Sequence, residues 1–121
     1  MQRISEENKA MNVTIKDLEA YLYHNYGEQA NEQGLFMKLI EEIGEIAEIL
    51  NMRSGRKKAN EEDMQEQLAN ELADVIHYVV AIAAINHIDL NDTILSKDKR
   101  AAIKYNHDIN LESFIRERIS K

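Results

Sequence analysis

Cysteine, proline and tryptophan are all absent from the 121 residues, and glycine occurs only four times. Without cysteine there is no disulfide, no thiolate zinc site and no thiol nucleophile. Without proline, and with so few glycines, little interrupts a helix, so the chain is most easily built from helices. Basic charge is also scarce: 15 Lys and Arg against 22 Asp and Glu leave a net charge of −7. A nucleic-acid backbone calls for a basic face, which argues against it as the main partner. Free nucleotides are not excluded, because a bound metal ion can invert the local field. The longest apolar run, Val75 to Ile85, contains His77 and falls short of the roughly 20 residues of a membrane span. The opening MQRISEENKA has no apolar core of the kind a signal peptide carries. The expectation is one soluble cytoplasmic domain over residues 1–121, with its core over about residues 14–105 and no nucleic-acid or membrane partner.

What is present is ordinary in amount, with 44% apolar and 31% charged residues, and informative in order. The polar first dozen residues read as a frayed end. Thr14 and Asp17 have the spacing of a capping box and open a helix over Ile15–Tyr26, with Leu18, Tyr21, Leu22 and Tyr26 as its buried stripe and Gly27 as its stop. A second helix runs from Asn31 or Gly34 to Met52 on a wide apolar face that includes Leu35, Phe36, Leu39, Ile43, Ile46, Ile49 and Leu50. Residues Arg53 to Asn60 form a short basic loop. A third helix runs from Glu61 to Ile85 or Asn86, and Asp89 or Asn91 caps a fourth that reaches Tyr105. A short last helix over Leu111–Ile119 buries Leu111, Phe114, Ile115 and Ile119. Two long helices flanked by shorter ones predict an all-α, four-helix bundle-like fold with a short C-terminal helix.

Five carboxylates lie inside the two most apolar helices: Glu41, Glu42 and Glu45 in KLIEEIGEIAEIL, and Glu71 and Asp74 in NELADVIHYVV. Each helix has two of them at i, i+3, neighbours on one helix face. At about 100° per residue, Glu42 falls within the apolar sector of its helix and Glu45 on the rim, while Glu41 and Glu48 point outward. Glu71 and Asp74 share their direction with Val75, Tyr78 and Ile82. A solvated acidic face would lie opposite such a stripe. Carboxylates beside apolar surface repel one another and lose hydration, an arrangement that suits a cation between them. An oxygen-only donor set fits Mg2+. Gly44, between the acids, costs helix stability of about 1 kcal/mol relative to Ala and predicts close approach by another backbone or a ligand.

The pattern Glu41-Glu42-x-x-Glu45, followed after 25 residues by Glu71-x-x-Asp74, resembles the E-E-x-x-E … E-x-x-D pattern of the MazG-like all-α nucleoside triphosphate pyrophosphohydrolases. The likeness extends through EEIGEIAEIL and ELADVIHYVVAIAAINHIDL and spans about Gly34 to Tyr105. It is nearest to the short single-domain members, including the dCTP pyrophosphatase branch. The resemblance implies a MazG-type oligomeric fold and Mg2+-dependent cleavage between the α and β phosphates, with Mn2+ as a substitute ion. It further implies Glu42, Glu45, Glu71 and Asp74 as metal ligands, and Glu41 as a second-tier acid or the base that orients water. Ser96-Lys97 and Lys104-Tyr105 fit the family's pattern on the following helix. Ala101 stands where many relatives have Asn, and Asn106 where they have Pro. There is no Trp to grip the base, so base preference is not carried over.

Tyr78, one turn beyond Asp74, is a candidate to touch base, ribose or phosphate, or else a core aromatic. Lys97 and Lys104 are candidates for the triphosphate or are solvated lysines. Lys38 has the spacing to pair with Glu41. Arg53, Arg56, Lys57 and Lys58 read as a solvated loop or one that closes over pyrophosphate. His77 is read as structural, because a di-iron bundle needs two Glu-x-x-His units. The leading reading is an enzyme acting on a free nucleoside triphosphate, expected to be unable to cover its apolar faces alone and therefore a homodimer or homotetramer. The alternative is a non-catalytic helical dimerisation or regulatory protein with a nucleotide- or cation-binding acidic site.

Overall fold

A computed structural model describes residues 11–55 and 61–120. The described chain contains five α-helices and one 3-10 turn, in the order α1 (Ile15–Tyr26), the turn Gly27–Gln29, α2 (Glu32–Gly55), α3 (Glu61–Ile85), α4 (Leu90–Lys104) and α5 (Leu111–Ile119). The all-α class and every expected helix are present. Residues 1–10 and the basic-loop residues Arg56, Lys57 and Lys58 lie outside the described part. The chain divides into two compact units, Met1–Ile88 and Asp89–Lys121.

Local chemistry sets the helix ends. Thr14 accepts the Asp17 N–H through its hydroxyl at 3.0 Å, and Gly27, at φ +57°, closes α1 by giving its N–H to Tyr23. Of the two possible starts of α2, Asn31 is the cap: its side chain accepts the Gly34 N–H at 3.2 Å and its carbonyl the Leu35 N–H at 3.0 Å. At the other end α2 runs past Met52 to Gly55, so Arg53 belongs to the helix rather than to a loop. Nothing in Arg53-Ser54-Gly55 forbids α geometry, and glycine commonly marks a C-terminus.

In the first unit, α3 packs against both α1 and α2. Leu22, Leu35, Ile49, Met64, Val80, Ala81, Ala83 and Ala84 are buried. The alanines at the end of α3 carry little side-chain bulk. That helix ends in a Schellman turn, with the Ile88 N–H reaching the Ala83 carbonyl at 2.9 Å and His87 held at φ 56°. Tyr21 is exposed rather than part of the buried stripe of α1, because it sits at the edge of the arc that Leu18, Leu22 and Tyr26 define.

In the second unit, Asp89 caps α4 by accepting the Asp92 N–H, and Asn110 caps α5 by accepting the Ser113 N–H. Asn106, at φ 56°, ends α4 in the left-handed geometry that Asn tolerates better than most residues. Asp98 accepts the Leu111 N–H at 2.6 Å, and Glu112 pairs with Lys99 and Arg116. Phe114, Ile115 and Ile119 are exposed, contrary to the expected burial. They share a stripe with the half-buried Leu111, and no surface within the described second unit covers the rest of it.

By length and composition alone, Asp63–Ile85 is apolar enough to cross a membrane, a longer stretch than the Val75–Ile85 run suggested. A core helix of a soluble protein passes the same test, and this one carries Glu71 and Asp74 within it.

Candidate metal and nucleotide site

Two long helices packed along each other bring distant acids together. Glu42 and Glu45 project from α2 and Glu71 from α3, and one carboxylate oxygen from each lies within 4.8 Å of the other two. Glu42 and Glu71 are half-buried and Glu45 is exposed. With all the acids ionised, Oε2 of Glu71 is buried and has no hydrogen-bond partner. Hydrogen bonding with the Glu42 carboxylate, loss of water and hydrogen bonding with Glu45 push the Glu71 carboxyl up to about 7, and the negative charges of both neighbours add to the rise. Near neutral pH this acid is therefore poised between a shared proton and a shared cation. A buried carboxylate oxygen without a donor is costly, and the like charges of Glu42 and Glu45 beside it raise the cost. A divalent cation cancels both penalties, so the donor set fits one.

Each of the other candidates is placed within its own unit. Asp74 is exposed on α3, three residues beyond Glu71, and is not among the three mutually close acids. Glu41 is exposed and pairs with Lys38 at 3.6 Å, as its spacing suggested. Tyr78 is half-buried, its ring edge-on to His77 at 4.9 Å and 78°. Lys97 and Lys104 belong to α4 in the second unit and are exposed, with Lys104 Nζ 5.3 Å from the centre of the Tyr105 ring. Concavities of about 680 and 480 Å3 in that unit are lined by residues of α4, α5 and their connection, such as Lys99, Ile103 and Glu112, and by none of the candidate ligands. The carboxylates are the chemically distinctive feature, so the acid cluster, rather than either concavity, is the candidate site.

No other backbone of the described chain makes the close approach that Gly44 was expected to allow. A β-carbon there has nothing within 4 Å among the described residues. In the dissociated single chain Gly44→Ala is therefore expected to stabilise by about 0.5–1 kcal/mol, read as a higher denaturation midpoint, because Gly44 shares its face with the exposed Met37 and Ile40. A loss of stability would mean that another surface packs against this face.

Residues 30–107 match the family model of the MazG nucleotide pyrophosphohydrolase domain, well over half of the chain. This chain belongs to the MazG family. The match takes in all five acids, Tyr78, Lys97 and Lys104. Among curated relatives, the dCTP pyrophosphatase 1 proteins of Rattus norvegicus and Mus musculus are each 35% identical over 68 residues, 54% of this chain and 40% of the relative. The MazG chain thus aligns with less than half the length of those relatives. The crystal structure of iMazG from Vibrio DAT 722 superposes with a TM-score of 0.60 at 29% identity, covering 78% of this chain and all of that one. The fold is MazG-type, as the resemblance implied.

One feature of this MazG domain had no signal in the sequence. The Tyr26 hydroxyl and His77 Nε2 are 2.7 Å apart, joining the end of α1 to α3. Periodicity marks Tyr26 as apolar stripe and His77 as a residue on a core helix, and neither pattern encodes a partner 51 positions away.

Proposed function

We propose that this MazG domain hydrolyses nucleoside triphosphates between the α and β phosphates, releasing the monophosphate and pyrophosphate, in the service of nucleotide-pool house-cleaning. The observation that carries the reading is the buried, partnerless Glu71 oxygen within a triad of carboxylates drawn from two helices. Glu42, Glu45 and Glu71 would hold a divalent cation, Mg2+ or in its place Mn2+, with Asp74 completing the set from the next turn of α3. When bound, that ion supplies charge neutralisation on the phosphates and a more acidic water. The residues themselves position and orient. Glu41, beside the triad in sequence and held by Lys38, is assigned as the base that orients the attacking water. Tyr78 offers a ring face or a hydroxyl to the nucleoside, and Lys97 and Lys104 offer positive charge to the phosphates.

A pyrophosphate-release assay over ordinary, deoxy and modified triphosphates, with Mg2+ and with EDTA, tests this reading. Metal-dependent release from at least one member is expected, and its rate order gives the base and sugar preference. Absence of turnover across a broad panel would favour a regulatory protein that binds nucleotide or cation without chemistry.

We also propose a homodimer or homotetramer. Phe36, Met37, Ile40 and Ile43 on α2, and Leu72 and Ile76 on α3, are each 46–59% exposed, more apolar side chain than one soluble copy usually leaves to water. Leu72 adjoins Glu71 and Ile43 adjoins Glu42 in sequence, so the shared surface would lie near the acids. Sedimentation is expected to show a dimer or larger species at micromolar concentration, and a concentration-independent monomer would contradict it.

A further inference from the structure

We propose that Tyr26, acting through His77, is a positioning residue that fixes the ring of Tyr78 as one wall of the nucleotide site, an inference that rests on the pyrophosphohydrolase reading above. Three observations support it. The Tyr26 hydroxyl meets His77 Nε2 at 2.7 Å in a part-buried setting. The His77 ring stands edge-on to Tyr26, with centroids 5.7 Å apart at 77°, and edge-on to Tyr78 at 4.9 Å and 78°. Tyr26 lies outside the segment that matches the family model, on a helix that contributes none of the candidate ligands.

Neighbouring residues on a helix point about 100° apart. A ring contact between His77 and Tyr78 therefore requires both side chains to turn toward each other, which restricts both rotamers. The bond to Tyr26 holds the imidazole from the other side. His77 is thus a wedge between two phenol rings, pinned at its far nitrogen. Burial, then the nearby Tyr78 hydroxyl, raises the Tyr26 pKa, so the phenol keeps its proton at neutral pH and, in the tautomer that leaves Nε2 bare, donates to it. The alternative tautomer donates from Nε2–H to the phenol oxygen, and either way the pair is satisfied. Tyr78 lies seven residues beyond Glu71 on nearly the same helix azimuth. At 1.5 Å per residue that is about 10 Å along α3, a suitable height for the sugar and base of a nucleotide whose phosphates sit at the carboxylates. A wall at that height needs a fixed ring plane, and the α1–α3 tie provides it.

Tyr26→Phe removes only the hydroxyl and keeps the ring. In the intact protein with Mg2+, on the best substrate of the panel, it is expected to raise KM about three- to ten-fold, the worth of one hydrogen bond, with kcat within about two-fold. Mg2+ affinity measured by calorimetry should not change. His77→Ala should reproduce the KM effect, and His77→Gln, which places an amide near the position of Nε2, should recover part of it. In a Tyr78→Ala background, Tyr26→Phe should add no further rise, because the ring it positions is gone. An unchanged KM in Tyr26→Phe, or an equal rise with and without Tyr78, would overturn the inference while leaving the activity established. A wild-type protein that neither hydrolyses nor binds any triphosphate would overturn the pyrophosphohydrolase reading, and this inference with it.

Discussion

Glu42→Gln is expected to lower kcat by roughly 10^3-fold or more while leaving the helical circular-dichroism spectrum unchanged. The substitution keeps side-chain size and removes one of the charges that meet across α2 and α3. Electrostatic stabilisation by a catalytic metal is of the order of several kcal/mol, and each 1.36 kcal/mol is a factor of ten in rate. Lost metal affinity should accompany the lost rate, with high Mg2+ restoring only part of the activity. Asp74→Asn is expected to behave in the same way, although Asp74 is exposed and outside the close triad. A full loss at Glu42 with less than about a ten-fold loss at Asp74 would confine the ligand set to the three clustered acids. Activity retained in Glu42→Gln would remove the site assignment altogether.

The second large effect is a pH dependence of stability that metal abolishes. Glu71 titrates near 7 in the folded protein against about 4.5 ordinarily, held up first by its hydrogen bond with Glu42. An acid whose pKa is higher in the folded state makes that state the better proton binder between the two values. Unfolding free energy then falls as pH rises through that interval, and the penalty is complete above about 7. In EDTA the wild type should therefore lose more stability between about pH 5 and pH 8 than Glu71→Gln does, and Glu71→Gln should be the more stable of the two at the alkaline end. With saturating Mg2+ the wild type should regain what it lost, because cation and proton compete for the same oxygens. Apparent Mg2+ affinity should rise with pH through the same window. Parallel melting curves for the two proteins at all pH values in EDTA would contradict the account of Glu71.

Much of this was legible in the chain because the informative residues act locally or periodically. Thr14, Gly27 and Asp89 satisfy or end helices through atoms within a few residues, and all three act where their chemistry suggested. The acids could be paired across helices because Glu42 and Glu71 share azimuths with apolar residues, so packing α2 on α3 brings these two together, with Glu45 at the exposed rim. What could not be read follows from longer-range packing. Ile115 and Phe114 have the spacing of a buried stripe, yet periodicity does not say whether a second surface arrives to cover it. Gly44 was expected to have a neighbour, and a glycine looks the same in sequence with or without one. The Tyr26–His77 contact depends on the meeting of two helices at one height, which no local pattern records. Asp74 is intermediate: its spacing from Glu71 is regular, but the side chain ends outside the close triad.

The most direct test of the central claim is 31P NMR of the wild-type reaction with its best triphosphate, once with Mg2+ and once with EDTA. The account predicts signals of the nucleoside monophosphate and pyrophosphate growing together with Mg2+, and none with EDTA. Nucleoside diphosphate and inorganic phosphate as the products, or turnover undiminished by EDTA, would contradict it.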